Sequence, residues 1–489
     1  MNREELELLI HGTEVNTLIA ELMNGRGNDA PNVEEYQCHL EPEYHKVNDK
    51  TLRRDKIVNC TDDEFAVDDE GTMRINDGMG STTTKRIEPV ARIALALQKL
   101  VVNRAVAFLF GNDVVIDSET ENEAEERVLK AVRAVFADNK VNTLNRRVAR
   151  ITFSSTECAE CWYPIEYKTK KYGFDSAYKL RCTVFNPLKG DKLYPYFSDN
   201  GDLIAFSREY VITDQNRKQH RCFETFTDAE HIVWNRDSGE WTEILRVPNP
   251  IGKIPVIYAR QDEVEWADVQ GLIERLETLL SNFADTNDYH ASPKIFVTGQ
   301  INGWTKKGES GAVIEGEEGA KAEYLSWQHA PESVKLEIET LLKMVYSITQ
   351  TPDISFDSVK GLNISGVSLK LLFMDAHMKT QVHAEVFDEY IQRRTSVVSA
   401  YLAQMNAGDG AFVEACNDMT LEPEIVPYMI SDEEAAVNML ATACGQKPLI
   451  SQRTAISQLG WVNDVDAEQK RIDEEEKASS QFGIDESTF

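Results

Sequence analysis

Between Pro331 and Gln404 the order of apolar and polar positions predicts a helix, an interruption and a much longer helix. Pro331 suits a first helical turn, and behind it Val334, Ile338, Leu341, Val345 and Ile348 recur every three or four residues, the spacing of one apolar stripe. The stripe stops at Pro352. Thr351 to Ser365, TPDISFDSVKGLNIS, supplies proline, glycine, asparagine and several Asp and Ser positions that divert backbone hydrogen bonds into local turns, so it reads as a loop. Ser365 is a good N-cap. From Val367 onward Leu371, Met374, Met378, Val382, Val386 and Tyr390 keep helical periodicity until Gly408. A helix of that length runs roughly 60 Å at 1.5 Å per residue, more than a small domain accommodates unless the helix kinks or belongs to an assembly.

The rest of the chain follows the same logic. Residues 1–34 open with an amphipathic helical pattern (Leu6, Leu8, Leu9, Leu18, Ile19, Leu22) and break at NGRGNDAPN, which predicts a peripheral arm. Glu70 to Lys85 reads as an exposed loop. Arg86 to Phe110 crowds apolar residues on nearly every face, predicting a buried helix closed by Gly111 before a strand at Val114 to Ile116. Glu121 to Asn139 is amphipathic, with Val128, Leu129, Val132, Val135 and Phe136 on its apolar side.

Between Arg150 and Arg260 the period changes to two, and Asn200-Gly201 and Ser238-Gly239 fall where hairpin turns belong; an antiparallel β unit is predicted. It ends at NPIGKIPVIYA, where two prolines bracket a short strand. Asp262 to Tyr289 carries Val269, Leu272, Ile273, Leu276, Leu279, Leu280 and Phe283 along one seam, a helix of about 42 Å. Residues 290–330 read as a small β insertion, so the helices on either side must run antiparallel to reconnect. After Asp409 come shorter helices: Ser451 to Leu459 entered through a serine cap, a strongly charged one from Asp464, and SSQFGIDESTF, whose composition predicts disorder. The fold class is α+β.

Composition narrows the function. The 489 residues allow about three domains, and 42% hydrophobic residues fill real cores. No run approaches the eighteen or so uncharged apolar residues of a membrane span, and the opening MNREELELLIHG is charged where a leader would be apolar, so no membrane partner is expected. Eight thinly spread cysteines point to reduced thiols rather than a disulfide framework. The 52 basic and 82 acidic residues leave a net charge of −30. Such a surface repels phosphate, so if this protein meets DNA it does not grip it.

The candidate chemistry is thin. Cys158 and Cys161 form a lone CxxC, with Cys182, His220 and Cys222 downstream, but no second CxxC completes a zinc site. His377 and His383, six residues apart, lie on different faces of a helix. Acidic pairs such as Asp62/Asp63, Glu317/Glu318 and Asp464/Asp466 sit in polar surroundings that suit solvated surface better than a magnesium site. G-x-x-x-x-G-K-[ST], G-x-S-x-G and H-E-x-x-H are all absent. No catalytic residue, metal or cofactor is expected.

Several segments in order resemble the portal, or head–tail connector, family of tailed double-stranded DNA bacteriophages. They are FLFGNDVVI closing a buried helix, KLYPYFSDNGDLIAFSREYVI, NPIGKIPVIY before a long helix, DISFDSVKGLNISGVSLK before the longest one, and ISQRTAISQLGWVNDVDAEQKRIDEEE near the end. The resemblance spans about Glu88 to Glu476. It implies a homo-oligomeric ring, normally of twelve subunits, at one capsid vertex of the virion, assembled in the host cytoplasm and carrying genome packaging and ejection. On this chain it implies a β-rich wing at 1–261, stem helices at 262–289 and 331–350, and an α/β clip at 290–330. It further implies a tunnel loop at 351–365, a long kinked wing helix at 366–406, and a helical crown with acidic tail at 407–489.

The implied contacts are with double-stranded DNA in passage, the terminase large subunit, the major capsid protein, the scaffolding protein and a head-completion or tail adaptor. Asp353, Asp357, Lys360 and Asn363 of the tunnel loop are then candidates for contact with DNA or neighbouring loops, or serve only as turn formers. Lys294, Trp304, Lys306 and Lys307 are the candidate clip interface. The alternatives are another structural adaptor of the virion, or a carboxylate-metal DNA hydrolase. Two antiparallel helices cannot bury both apolar faces alone, which independently argues for packing against further copies.

Overall fold

A computed structural model describes residues 3–25, 30–60, 72–76, 82–118, 120–237, 239–291, 294–298, 301–303, 315–316, 321–325, 330–353, 373–428, 433–445, 448–459, 461–462 and 465–482. The chain divides into two units, Met1–Asp353 with Ala376–Pro427, and Ile354–Asp375 with Tyr428–Phe489.

The larger unit begins with α1 (Arg3–Gly12), α2 (Val15–Asn24) and α3 (Val33–Leu40). The opening pair is no loose arm. Leu6, Ile10, Leu18, Ile19 and Leu22 are buried against Tyr196, Ala205, Phe223, Ile232 and Trp234 of a five-stranded sheet. Where a loop was expected around Glu70 to Lys85, β1 (Lys56–Cys60), β2 (Thr72–Asn76) and β3 (Thr82–Glu88) form an antiparallel sheet in the order β1-β3-β2. Threonines among Gly and Ser suggest a loop, but their β-branched side chains favour strands.

The helix expected from Arg86 starts late, as α4 (Leu97–Phe110). Pro89 cannot donate, and side chains of a later helix capture the following N–H groups. Once formed, α4 is buried on most faces, as its sequence requires. Then β4 (Val115–Asp117), α5 (Glu123–Asn139) and α6 (Val141–Ser155) follow, α5 burying all five predicted apolar residues.

The β unit is antiparallel as predicted. A long hairpin, β5 (Glu157–Thr169) and β6 (Ser176–Phe185), is followed by a meander of β7 (Lys192–Phe197), β8 (Leu203–Thr213), β9 (Gln219–Phe226), β10 (Glu230–Asp237) and β11 (Glu240–Pro248), sheet order β11-β10-β9-β8-β7. Gly201 and Gly239 turn two of its hairpins at φ of +88° and +99°. The strand bracketed by prolines is β12 (Val256–Arg260), an edge strand on β5. Cys158 and Cys161 lie on β5 three residues apart, hence on opposite faces; one joins the main core and the other the core between the sheets. Burial drives both thiols towards the protonated form.

The seam helix is α7 (Gln270–Ala291), preceded by a 3-10 turn at Ala267–Val269 rather than beginning at Asp262. Residues 261–266 are claimed by the end of α6, since Gln261 N–H donates to Thr156 O (2.9 Å) and Glu265 N–H to Phe153 O (3.1 Å). β13 (Lys294–Thr298) pairs with β16 (Lys321–Leu325), and β14 (Ile301–Gly303) with β15 (Glu315–Gly316). α8 (Ala330–Ile348) returns alongside α7, tied by Arg275 to Glu337 at 2.7 Å.

The 32-residue α9 (Met374–Met405) runs without interruption through the main core. Its fully buried Arg394 meets Glu160 of β5 at 2.5 and 2.9 Å, while Trp162 Nε1 donates to the same carboxylate at 2.9 Å. α10 (Gly410–Asp418) and β17 (Glu422–Glu424), which pairs with β4, close this unit. The smaller unit holds α11 (Glu433–Ala443), α12 (Gln452–Leu459) and α13 (Val465–Phe482). Ser451 caps α12 through the Thr454 N–H (3.2 Å), as its sequence predicts. The segment expected to be disordered is helical as far as Phe482, and 483–489 lie outside the described residues.

Candidate functional site: the root of the α7–α8 hairpin

At its root, α7 is held by an extended segment rather than by another helix. Leu95 N–H donates to Glu277 Oε1 (2.8 Å), Ile93 N–H to Ser281 Oγ (2.9 Å) and Ala91 N–H to Asp285 Oδ1 (2.8 Å). The spacing explains the match: two residues of strand advance about 6.7 Å, and one four-residue step along a helix advances about 6 Å. Every second N–H therefore meets every fourth side chain. Arg53 ties the far end, with NH1 on Asn282 (2.7 Å), NH2 on Asp285 (2.6 Å) and Nε on the Ala91 carbonyl (2.9 Å).

His45 locks the near end. Its Nδ1 lies 2.6 Å from Glu277 Oε1 and its Nε2 lies 2.8 Å from the His39 carbonyl. Both partners only accept, so both ring nitrogens carry protons and the imidazole is charged. Burial opposes that charge, but the hydrogen bond and charge of Glu277 outweigh it and hold the His45 pKa above the ordinary value.

α8 ends at this root in a Schellman motif. Thr351 N–H donates to Tyr346 O (2.9 Å) and Gln350 N–H to Ser347 O (3.2 Å), with Gln350 at φ +51° where glycine is usual. The exit is then pinned by two cations. Arg104 of α4 donates to Pro352 O (2.6 Å) and lies over the Tyr346 ring. Lys379 of α9 donates to Thr349 O (2.9 Å) and forms an ion pair with Glu265 Oε2 (2.5 Å), and His383, one turn along α9, stands 3.3 Å from Glu265 Oε1. Burial would raise the Glu265 pKa; His383 and Lys379 outweigh it and hold it below the ordinary carboxyl value. The residues that enter the predicted loop thus have a fixed starting point, set by α4, α9 and the turn before α7.

Among the sequence-predicted candidates, Asp353 is half-buried just beyond this anchor. Asp357, Lys360 and Asn363 lie outside the described residues, as do Trp304, Lys306 and Lys307. Lys294 opens β13 opposite Leu325. Sequence reasoning missed Arg104, Glu265 and Lys379. Only the i, i+4 placement of Lys379 and His383 on one helix face offered a signal, and nothing in it named Glu265 as their partner. No group of three or more His, Cys, Asp or Glu suited to a metal occurs among the described residues.

A family model described as "Phage portal protein, SPP1 Gp6-like" matches residues 56–481. No curated protein matches the chain significantly. Among solved structures, similar chains occur in the neck of an empty gene transfer agent particle computed with C6 symmetry (TM-score 0.39), the neck of a native particle computed with C12 symmetry (0.38) and the virion of the native particle (0.38). Each is 10% identical, with 74% of this chain and 88% of the other covered.

Proposed function

Because the chain belongs to the SPP1 Gp6-like phage portal protein family, structural and non-enzymatic components of the virion's portal vertex, we propose that it closes into a ring, most simply of twelve copies, through which double-stranded DNA is packaged and ejected. In this reading 1–261 and 366–406 form the wing, α7 and α8 the stem, 290–330 the clip, 351–365 the tunnel loop and 407–489 the crown. The clip, with Lys294, Trp304, Lys306 and Lys307, docks the terminase large subunit during packaging and the head-completion or tail adaptor afterwards. The wing and crown meet the major capsid and scaffolding proteins.

The observation that carries the ring is the apolar surface left over on the hairpin. α7 and α8 bury Ile273, Leu276, Leu279 and Val345, yet Leu336 (65%), Met344 (46%) and Ile348 (49%) of α8 remain exposed in the single chain. Covering what remains exposed of each is worth about 1–2 kcal/mol, and a head-to-tail contact with the next copy, closed by rotation, covers them all at once. The net charge of −30 per copy supports the conduit: an acidic bore lets a duplex slide where a basic one would hold it.

Light scattering tests the ring, with a mass of twelve times 55.3 kDa, or another ring multiple, as the expected result. A protein that stays monomeric under all assembly conditions overturns it. Replacing 351–365 with a short Gly/Ser linker should leave rings intact and impair packaging. Failed assembly, with normal packaging by any rings that survive, refutes the loop assignment.

A further inference from the structure

At the junction of α5 and α6 one residue serves both helices. The N–H of Lys140 closes α5 on the Ala137 and Phe136 carbonyls, and Lys140 also stands at the N-cap of α6, at φ +51° and with no side-chain cap. Lysine has no acceptor to offer the first N–H groups of a helix. The amino end of this 15-residue helix therefore opens uncapped on a cleft of about 580 Å³.

The cleft is lined by Arg133, Lys140 and Arg146 against a single carboxylate, Asp113. Arg133 is engaged with the Ile116 carbonyl at 2.7 Å. Lys140 and half-buried Arg146 have no ion-pair partner among the described residues. In a chain with 82 acidic and 52 basic residues that is unusual company for a partly desolvated guanidinium. A second observation is independent of the charges and of the helix end. Asn145, 2% exposed, lines the same cleft; its Oδ1 accepts from Arg394, while its Nδ2 has no partner among the described residues. A buried amide N–H destabilises the fold unless something accepts from it. Guanidinium, ammonium, helix N–H groups and a spare amide N–H are all donors, which is the complement of an oxyanion.

We propose that this cleft is an oxyanion site, taking a phosphate or a carboxylate between Arg146, Lys140, the amino end of α6 and Asn145 Nδ2. Two sources share that chemistry: a free small anion, and an acidic side chain of a second copy of this chain. Isothermal titration of the full-length protein with inorganic phosphate, and separately with succinate, at ionic strength held constant with sodium chloride, tests the first. Saturable binding is expected, weakened roughly tenfold or more in Arg146→Gln through loss of a charge-assisted contact.

Lys140 is exposed, so Lys140→Ala keeps the fold and should weaken binding in the same direction should Arg146→Gln fail to fold. If the site is filled by a second copy, the assembled protein titrates no free anion and Arg146→Gln loses assembly in light scattering while its circular dichroism is unchanged. The proposal is overturned if neither anion binds and both variants assemble like the parent, or if anions bind and neither variant changes the affinity. The titration needs no ring, so its failure is separable from failure of the portal reading.

Discussion

Replacing Lys379 by methionine removes the one cation, among the described residues, that touches both the Glu265 carboxylate and the last turn of α8. The Glu265 side chain is 4% exposed, so the carboxylate cannot turn to water and, among the described residues, keeps only His383, 3.3 Å away. Breaking a buried pair by removing one partner costs about 3–5 kcal/mol. With the remaining histidine we expect the lower end, about 3 kcal/mol, including the lost bond to Thr349 O. Urea denaturation measures the total. Hydrogen exchange of peptides covering 349–353 locates it, because the Gln350 and Thr351 amides of the Schellman motif should lose protection first.

Adding Glu265→Gln should restore stability to within about 1 kcal/mol of the parent, since no unpaired charge remains buried. The sign of the pH dependence is fixed as well. In the parent the depressed Glu265 pKa contributes stability that is complete above the ordinary value of 4.5 and is lost as pH falls through the folded value. In Lys379→Met the buried carboxylate prefers its proton, so the deficit should begin to shrink above pH 4.5 and go on shrinking as pH falls through the parent's depressed value. A deficit under about 1 kcal/mol, together with a double variant no more stable than the single one, refutes the anchoring role.

Arg394→Met should destabilise by about 3–5 kcal/mol in the same denaturation assay, because Glu160 is fully buried, and Glu160→Gln in that background should recover much of it. The charged His45 has a raised pKa, so the stability it supplies is complete below about pH 6.5 and disappears as pH rises through the folded value; the protection factors of the Leu95 and Ile93 amides, corrected for the intrinsic rise of exchange with pH, should fall over that window in the parent and stay flat in His45→Gln. At the left-handed end of α8, Gln350→Gly should be within about 1 kcal/mol of the parent or better, whereas Gln350→Val should cost about 1–2 kcal/mol, both read from denaturation midpoints.

The periodic parts of this molecule were legible because periodicity reports burial. The stripe of α5, the alternating strands of the meander and the proline-bracketed β12 all lie where their patterns predict, whereas of the α8 stripe only Val345 is buried within the single chain. Boundaries failed where the backbone finds partners far away in sequence. The apolar content of residues 90–96 predicts helix, but the N–H groups of Ala91, Ile93 and Leu95 are taken by Asp285, Ser281 and Glu277, 182–194 positions later. Residues 262–266 were lost to α7 for the same reason, being claimed by the end of α6. The anchors Arg104 and Lys379 were invisible because a lone cation carries no periodicity, and its partner is set by tertiary contact. The lone CxxC shows the converse: spacing that suggests a chelate in a loop puts two thiols on opposite faces of a strand.

The extended segment laid along α7 restricts how this hairpin can change length. Each residue inserted in a helix rotates everything beyond it by about 100°, so one insertion between Glu277 and Asp285 swings the distal acceptors away from residues 91–95 and unzips the ladder. Beyond Asp285 no such toothed match exists among the described residues. A change of length is thereby tolerated only beyond Asp285, where a shorter or longer arm leaves the seating of its base untouched.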